Sequence, residues 1–242
     1  MTRHGPVSYG GRVRHDEQTL VFDADDTLWE NNVHFERAIE GFLDEAAPLP
    51  ADRAAARATL DGIEAANARL HGYGSQVFLR SLVECFEQLT GQVADAARRA
   101  RFEALADSIG HHELELIPGV VETLAALTDR HHLLLLTKGD RAEQQAKVDA
   151  SGLAGHFRAV HIVAEKDVAA YRWLVGEHRL ASERTWMIGN SPKSDILPAR
   201  RAGLNAVFIP NQHTWVLEHE ELDPADTGVL RLDAFAELGE HF

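Results

Sequence analysis

Three things are scarce in this sequence, and each shortage narrows what the protein can be. There is one cysteine, Cys85. A single cysteine closes no internal disulfide, and without a second thiol or neighbouring histidines it builds no zinc site, so a cytoplasmic setting fits. Within Leu82-Val83-Glu84-Cys85-Phe86 its position is that of a small core residue on a helix, not of a catalytic thiol. Positive charge is also short: 24 basic residues face 38 acidic ones, for a formal net charge of −14. Such a surface repels polyanions at long range, which argues against general binding to DNA, RNA or anionic membranes. A small phosphorylated molecule is still acceptable, because a few local cations and backbone amides decide its binding. Long apolar runs are missing as well. None reaches the roughly 20 residues that span a bilayer, and the N-terminus has no hydrophobic signal core. The expectation is a soluble, unexported protein.

What is present reads as a folded α/β protein. The chain has 242 residues, 45% hydrophobic and 26% charged, enough for one large domain or a main domain with an insert. Met1 to Gln18 is rich in Gly, Arg and His without apolar periodicity and is expected to be a loose arm. Thr19 to Phe22 is a short apolar run ending in an acidic cluster, the pattern of a buried strand. From Val33 to His112 Ala, Glu, Arg and Leu recur at helical spacing, with breaks at Pro48-Leu49-Pro50, His71 to Gly74 and Thr90-Gly91. That predicts about four helices and no strands. After Pro118-Gly119 the chain alternates: helix 120–129, strand 132–137, helix 140–150, strand 159–163, helix 167–178, strand 185–189, helix 193–202 and strand 206–209. A strand at 229–232 and a last helix from Asp233 finish it. Short apolar strands alternating with helices imply parallel pairing. The expected architecture is a parallel-sheet core (19–32 and 113–242) with an all-helical insert (33–112) that leaves next to the acidic cluster. Sites in such sheets lie at the carboxyl ends of the strands, so the insert would overhang one.

The strand ends carry the chemistry. Asp23 and Asp25 are alternate residues of an extended segment and can face one reacting centre. One carboxylate can attack phosphorus, and the other can protonate the leaving oxygen and then activate water. Mg2+ suits such a site, because it takes oxygen ligands and keeps waters. Asp-x-Asp alone also caps ordinary turns. Thr137 ends the run Leu133 to Leu136 and precedes Lys138-Gly139, so a hydroxyl and backbone amides can meet a phosphate. Lys166 follows the strand at 159–163, and Gly189-Asn190-Ser191-Pro192-Lys193-Ser194-Asp195 joins the next strand to a helix. Each of these has a bland reading as surface or helix cap. Their succession at consecutive strand ends does not.

In that order the segments resemble the four motifs of the haloacid dehalogenase superfamily, over about Thr19 to Ile209. The resemblance implies a Rossmann-like core and an aspartyl-phosphate route, with Asp23 as nucleophile and Asp25 as general acid/base. It also implies phosphate contacts from Thr137, Lys138 and Lys166. Mg2+ would be held by Asp23, the backbone carbonyl of Asp25, Asn190 and Asp195. The helical insert resembles the cap of many members, and Trp29 to Asn32 would be the flap after the first strand. Two positions depart from the family pattern. Asp26 stands where Gly is usual, and Asp tolerates turn conformations. Asn190 stands where Asp is usual. An amide oxygen ligates Mg2+ without charge, which leaves Asp195 as the essential anion, so Asn190→Asp is expected to tighten Mg2+.

Three other readings fit parts of the sequence. A metal-independent 2-haloacid dehalogenase uses the same nucleophile, but generally lacks a second acid at the position of Asp25. A non-enzymatic phospho-acceptor would lack both Asp25 and the helical insert, and a degenerate family member acting only as a binding protein would have lost catalytic side chains that, apart from Asn190, are all present. The expected substrate is a small phosphorylated metabolite. Asp-Ala-Asp-Asp-Thr-Leu-Trp is similar to pyrimidine-nucleotidase-like members, which puts nucleotides among the candidates. Within the insert, Tyr73 and Gly74 are candidates for a loop reaching the site, and Arg80 for a contact with a substrate anion. The histidine pairs His111-His112 and His131-His132 lack partners at metal-ligand spacing. No oligomeric signature stands out.

Overall fold

The structure is a computed structural model and describes residues 17–45, 52–110 and 114–242. Its architecture follows from alternation along two strands, β1 (Thr19–Phe22) and β2 (His132–Lys138). Leu20, Phe22, Leu133 and Leu135 enter one apolar cluster, while Val21, Leu134 and Leu136 enter another on the opposite face. A strand that is apolar on both sides needs cover on both sides. Each leucine removed from water contributes about 2 kcal/mol.

Four more strands complete the sheet: β3 (Ala159–Val163), β4 (Thr185–Gly189), β5 (Asn205–Phe208) and β6 (Val229–Arg231). The order is β3-β2-β1-β4-β5-β6, parallel throughout. Helices α5 (Val120–Thr128), α6 (Arg141–Ser151) and α9 (Leu238–His241) cover one face. Helices α7 (Val168–His178) and α8 (Leu197–Arg201) cover the other. This is the Rossmann-like α/β fold expected. From β1 the chain runs to β2 and β3 on one side and to β4, β5 and β6 on the other, so the crevice lies beyond the carboxyl ends of β1 and its neighbours.

The helix expected over 193–202 begins differently. Pro192–Ile196 is a wide π turn, and α8 follows it. The amides of Asp195 and Ile196 both donate to the Ser191 carbonyl, at 3.0 and 3.1 Å, and Ser191 Oγ accepts from the Ser194 amide at 2.9 Å. The terminal helix is likewise short, a 3-10 turn at Phe235–Glu237 leading into α9.

Between β1 and α5 the chain forms α1 (Asn32–Glu45), α2 (Arg53–His71), α3 (Ser75–Thr90) and α4 (Ala96–Ser108), with no strand among the described residues. They bury their own apolar cluster, which includes Phe42, Leu60, Phe86 and Phe102. Cys85 is a buried member of it. Asp52 and Asp95 accept from backbone amides at the starts of α2 and α4. Gly72 and Gly91 close α2 and α3 at two of the expected breaks. Pro48 to Pro50 and the pair His111-His112 lie outside the described residues. So does most of the expected arm, although Gln18 is not loose. It is buried, and its side chain accepts from Trp186 Nε1 at 2.7 Å. Among the described residues no helix is long and apolar enough to cross a membrane.

Candidate active site

The side chains that carry the four motifs come to one cleft. Asp23 follows β1 directly, and its amide donates to the Ile188 carbonyl of β4 at 2.9 Å. Thr137 and Lys138 end β2, Lys166 lies just beyond β3, and Asn190 follows β4. Asp195 hangs from the π turn. All of them, with Asp25, line the same cavity of about 160 Å³.

At its floor Lys166 Nζ donates to Asp23 Oδ1 and to Asp195 Oδ1, both at 2.5 Å. The lysine is 3% exposed and Asp195 is fully buried. Burial works against the ammonium, but Asp195 and Asp23 hold its pKa well above the ordinary value. Burial and the Asp23 charge push Asp195 up to about 7, against the pull of Lys166. Asp195 reaches this place because residue 189 is glycine: a Cβ there would overlap the Asp195 carboxylate. The second Asp23 oxygen accepts from Thr27 Oγ1 at 2.8 Å.

Asp25 is held by Trp29 and by two residues that no motif marks, Lys147 and Gln144. Lys147 Nζ reaches both of its oxygens at 2.9 Å, Gln144 Nε2 donates to Oδ2 at 2.9 Å, and Trp29 Nε1 donates to Oδ1 at 2.7 Å. Burial raises its pKa, yet Lys147, Gln144 and Trp29 together hold it below the ordinary value. Gln144 Oε1 also accepts from Thr137 Oγ1 at 3.1 Å, which links the ends of β1 and β2. Gln144 and Lys147 lie three apart on α6, the spacing of one helix face. That spacing was visible in the sequence, but nothing in it showed which way the face turns.

The flap segment is tied down. Trp29 is fully buried, and Asn31 Oδ1 accepts from Lys147 at 2.7 Å. Asp26 takes the left-handed conformation, φ 61°, in place of the usual glycine. Its Oδ1 accepts from the amides of Asn31 and Asn32, both at 2.9 Å, as α1 begins. Burial pushes its carboxyl up to about 7.

Lys138 is more engaged than a free phosphate contact. It donates to Glu218 Oε1 and Ser194 Oγ at 2.8 Å, and to Glu165 Oε1 and Tyr73 Oη at 3.2 Å. Burial disfavours the Glu218 charge, but Lys138 and two serine hydroxyls bring its pKa down to about 2. Tyr73 Oη donates to Glu165 Oε2 at 2.6 Å, and Ser75 Oγ to Glu143 Oε1 at 2.6 Å. The Tyr73-Gly74 loop therefore reaches the cleft. Arg80 does not; it lines a separate surface groove with Glu84 and Arg99.

Asn190 is oriented by its neighbours. Nδ2 donates to Thr214 Oγ1 at 2.8 Å, so Oδ1 turns toward Thr27, which donates to it at 3.3 Å. The Thr214 hydroxyl proton goes to the Asn211 carbonyl at 2.9 Å. Asn190→Asp would add charge at the expected cation site, but would set a carboxylate oxygen against a hydroxyl with no proton to give. Calorimetry should find tighter Mg2+ binding in this variant, and unfolding should find a stability loss of about 1–3 kcal/mol. Unchanged Mg2+ affinity would contradict the role of this amide.

The donors fit Mg2+ in kind. Asp23, Asp195 and the Asn190 amide offer oxygen only. Among the described residues no group of three or more His, Cys, Asp or Glu side chains is arranged to hold a metal ion, so a cation here would rest on two carboxylates completed by amide and carbonyl oxygens.

A family profile described as haloacid dehalogenase-like hydrolase matches residues 17–203. The chain belongs to that hydrolase family. It is 31% identical over 160 residues to a phosphoserine phosphatase from Thermus thermophilus, across 64% of this chain and 61% of that protein. It is 28% identical over 103 residues to the pyrimidine 5'-nucleotidase YjjG from Escherichia coli, across 40% and 46%. The matches thus span about half to three-fifths of these relatives. A haloacid dehalogenase-like family hydrolase from Xanthomonas campestris superposes with a TM-score of 0.77 and 26% identity, over 93% of each chain.

Proposed function

We propose that this protein is a Mg2+-dependent phosphatase that hydrolyses a small phosphomonoester through an aspartyl-phosphate on Asp23. The observation that carries the reading is the second carboxylate, Asp25, in the same cleft as Asp23, Lys166 and Asp195. A carbon–halogen hydrolase needs no proton donor for its leaving group; a phosphatase does. The names of the two curated relatives support the choice and keep nucleotides among the candidate substrates. The insert α1 to α4 acts as the cap, and the single buried cysteine accords with a cytoplasmic setting.

Mg2+, held by Asp23, the Asp25 carbonyl, Asn190 and Asp195, would supply positive charge against the phosphate oxygens. The chain does the rest. Lys166 and Thr27 fix the two Asp23 oxygens, so the carboxylate meets phosphorus in one orientation. An Asp23 oxygen bonds to phosphorus as the bond to the substrate oxygen breaks. Asp25, whose own carboxylate Lys147, Gln144 and Trp29 keep ionised in the free site, relays to that oxygen the proton of the monoanionic ester. It then takes a proton from the water that attacks phosphorus, which releases phosphate and restores Asp23. Thr137 and Lys138 hold phosphate oxygens, and Tyr73 screens the cleft from water.

Phosphate release from a panel of phosphomonoesters should require Mg2+, stop on addition of EDTA and vanish in Asp23→Asn. Equal turnover by wild type and Asp23→Asn would overturn the mechanism. Halide release from 2-haloacids in the presence of EDTA would favour the dehalogenase reading instead.

A further inference from the structure

Among the described residues, Glu64 is the only carboxylate with a buried oxygen, Oε2, that has no hydrogen-bond partner. It sits on α2, is 7% exposed, and lines the same cleft as Asp23 and Lys166. The cleft wall contributed by α1 and α3 is largely apolar there, with Phe35, Ile39, Val77 and Phe78. Nearby polar groups are already committed. Arg57 forks onto Glu36 at 2.6 and 2.8 Å and donates to Asp61 at 2.8 Å. Asn67 donates to Ser81 Oγ at 3.1 Å and Glu84 Oε2 at 2.7 Å. An unpartnered buried carboxylate destabilises a fold. Methionine or glutamine would fill its space at lower cost, so the glutamate needs a reason outside folding.

We infer that Glu64 forms the far end of the substrate site and receives a protonated amine carried on the alcohol part of the phosphomonoester. The inference rests on the phosphatase reading above and specifies its substrate class. The cleft is then bipolar: Lys166 and Lys138 stand where the phosphate binds, and a carboxylate stands among the insert helices. Burial, reinforced by Asp61, pushes the Glu64 carboxyl up to about 8. Without a cationic partner the group keeps its proton near neutrality. An ammonium favours the ionised form and supplies the missing hydrogen bond. A substrate without the amine leaves Glu64 unpaired and is selected against.

The test compares ω-aminoalkyl phosphates with n-alkyl phosphates of matched length. At one chain length at least, kcat/KM should favour the amine by about ten-fold or more, and Glu64→Gln should remove that preference. Glu64→Gln and Glu64→Met should also melt a few degrees higher than wild type, which shows that the lost preference is not unfolding. Equal rates for matched pairs at every length, or a preference that survives in Glu64→Gln, overturns the inference. Calorimetry with ω-aminoalkyl phosphonates, which cannot be hydrolysed, separates the two levels of the argument. Glu64-dependent binding of these probes without turnover of any phosphomonoester would support the amine subsite and sink the phosphatase reading. Asp23-dependent phosphatase activity without amine selectivity would do the reverse.

Discussion

Replacing Lys166 with methionine is expected to slow phosphate release by about 100- to 1,000-fold and to destabilise the fold by about 3–5 kcal/mol. The two effects share one cause. The ammonium lies between Asp23 and Asp195, and all three groups are buried. Methionine keeps most of the stem and so most of the packing. It removes the charge, and two carboxylates then face each other in a site of low dielectric. One of them must take up a proton. If Asp23 takes it, the nucleophile is lost; if Asp195 takes it, the anion that supports the cation site is lost. Either way the chemical step suffers more than substrate binding, so single-turnover rates should fall by more than KM rises. Denaturant unfolding measures the stability term. Turnover within about three-fold of wild type, a change smaller than 1 kcal/mol in barrier, would show that the Lys166 pairs do not organise the nucleophile.

Much of this site was legible because each part is local to a strand end. Leu133 to Leu136 announces a strand buried on both faces, and Thr137 has to stand at its end. The same holds for Asp23 after Val21-Phe22 and for Asn190 after Ile188-Gly189. What stayed hidden depends on how segments far apart in sequence meet. Lys147 reads as one more exposed helix lysine until α6 is packed against the sheet, where it meets Asp25 across 122 positions. Glu218 is 80 positions from Lys138 and has no motif of its own. Gly189 reads as the end of a strand, and its need shows only once the π turn folds Asp195 back onto it. Arg80 fails for the same reason in the opposite direction. Helical spacing gives α3 a polar face but not the direction in which that face looks, and it looks away from the cleft.

Asp25→Asn is expected to lower kcat/KM, which reports the transfer to Asp23, by about 10²–10⁴-fold for an alkyl phosphate, with a much smaller effect on kcat/KM for p-nitrophenyl phosphate. An alkoxide needs a proton to leave and a nitrophenolate does not, so the gap between the two esters isolates the acid role from the base role. Lys147→Met gives the complementary result. In the native arrangement Lys147, Gln144 and Trp29 hold the Asp25 pKa below its ordinary value of 3.8 against the opposing effect of burial. Its stabilising contribution is therefore present above 3.8 and is lost as pH falls through the lower, folded value. Without the ammonium, burial is opposed only by neutral donors, and the Asp25 pKa rises. The acid limb of kcat, which contains the base step shared by all esters, should move to higher pH, and the variant should be less stable than wild type above 3.8, with the difference closing below it. A protonated Asp25 is also a readier donor, so Lys147→Met should hurt p-nitrophenyl phosphate, whose turnover depends on the base step, more than an alkyl ester. If Asp25→Asn slows both esters alike and Lys147→Met leaves the acid limb in place, Asp25 shapes the loop after β1 and moves no proton.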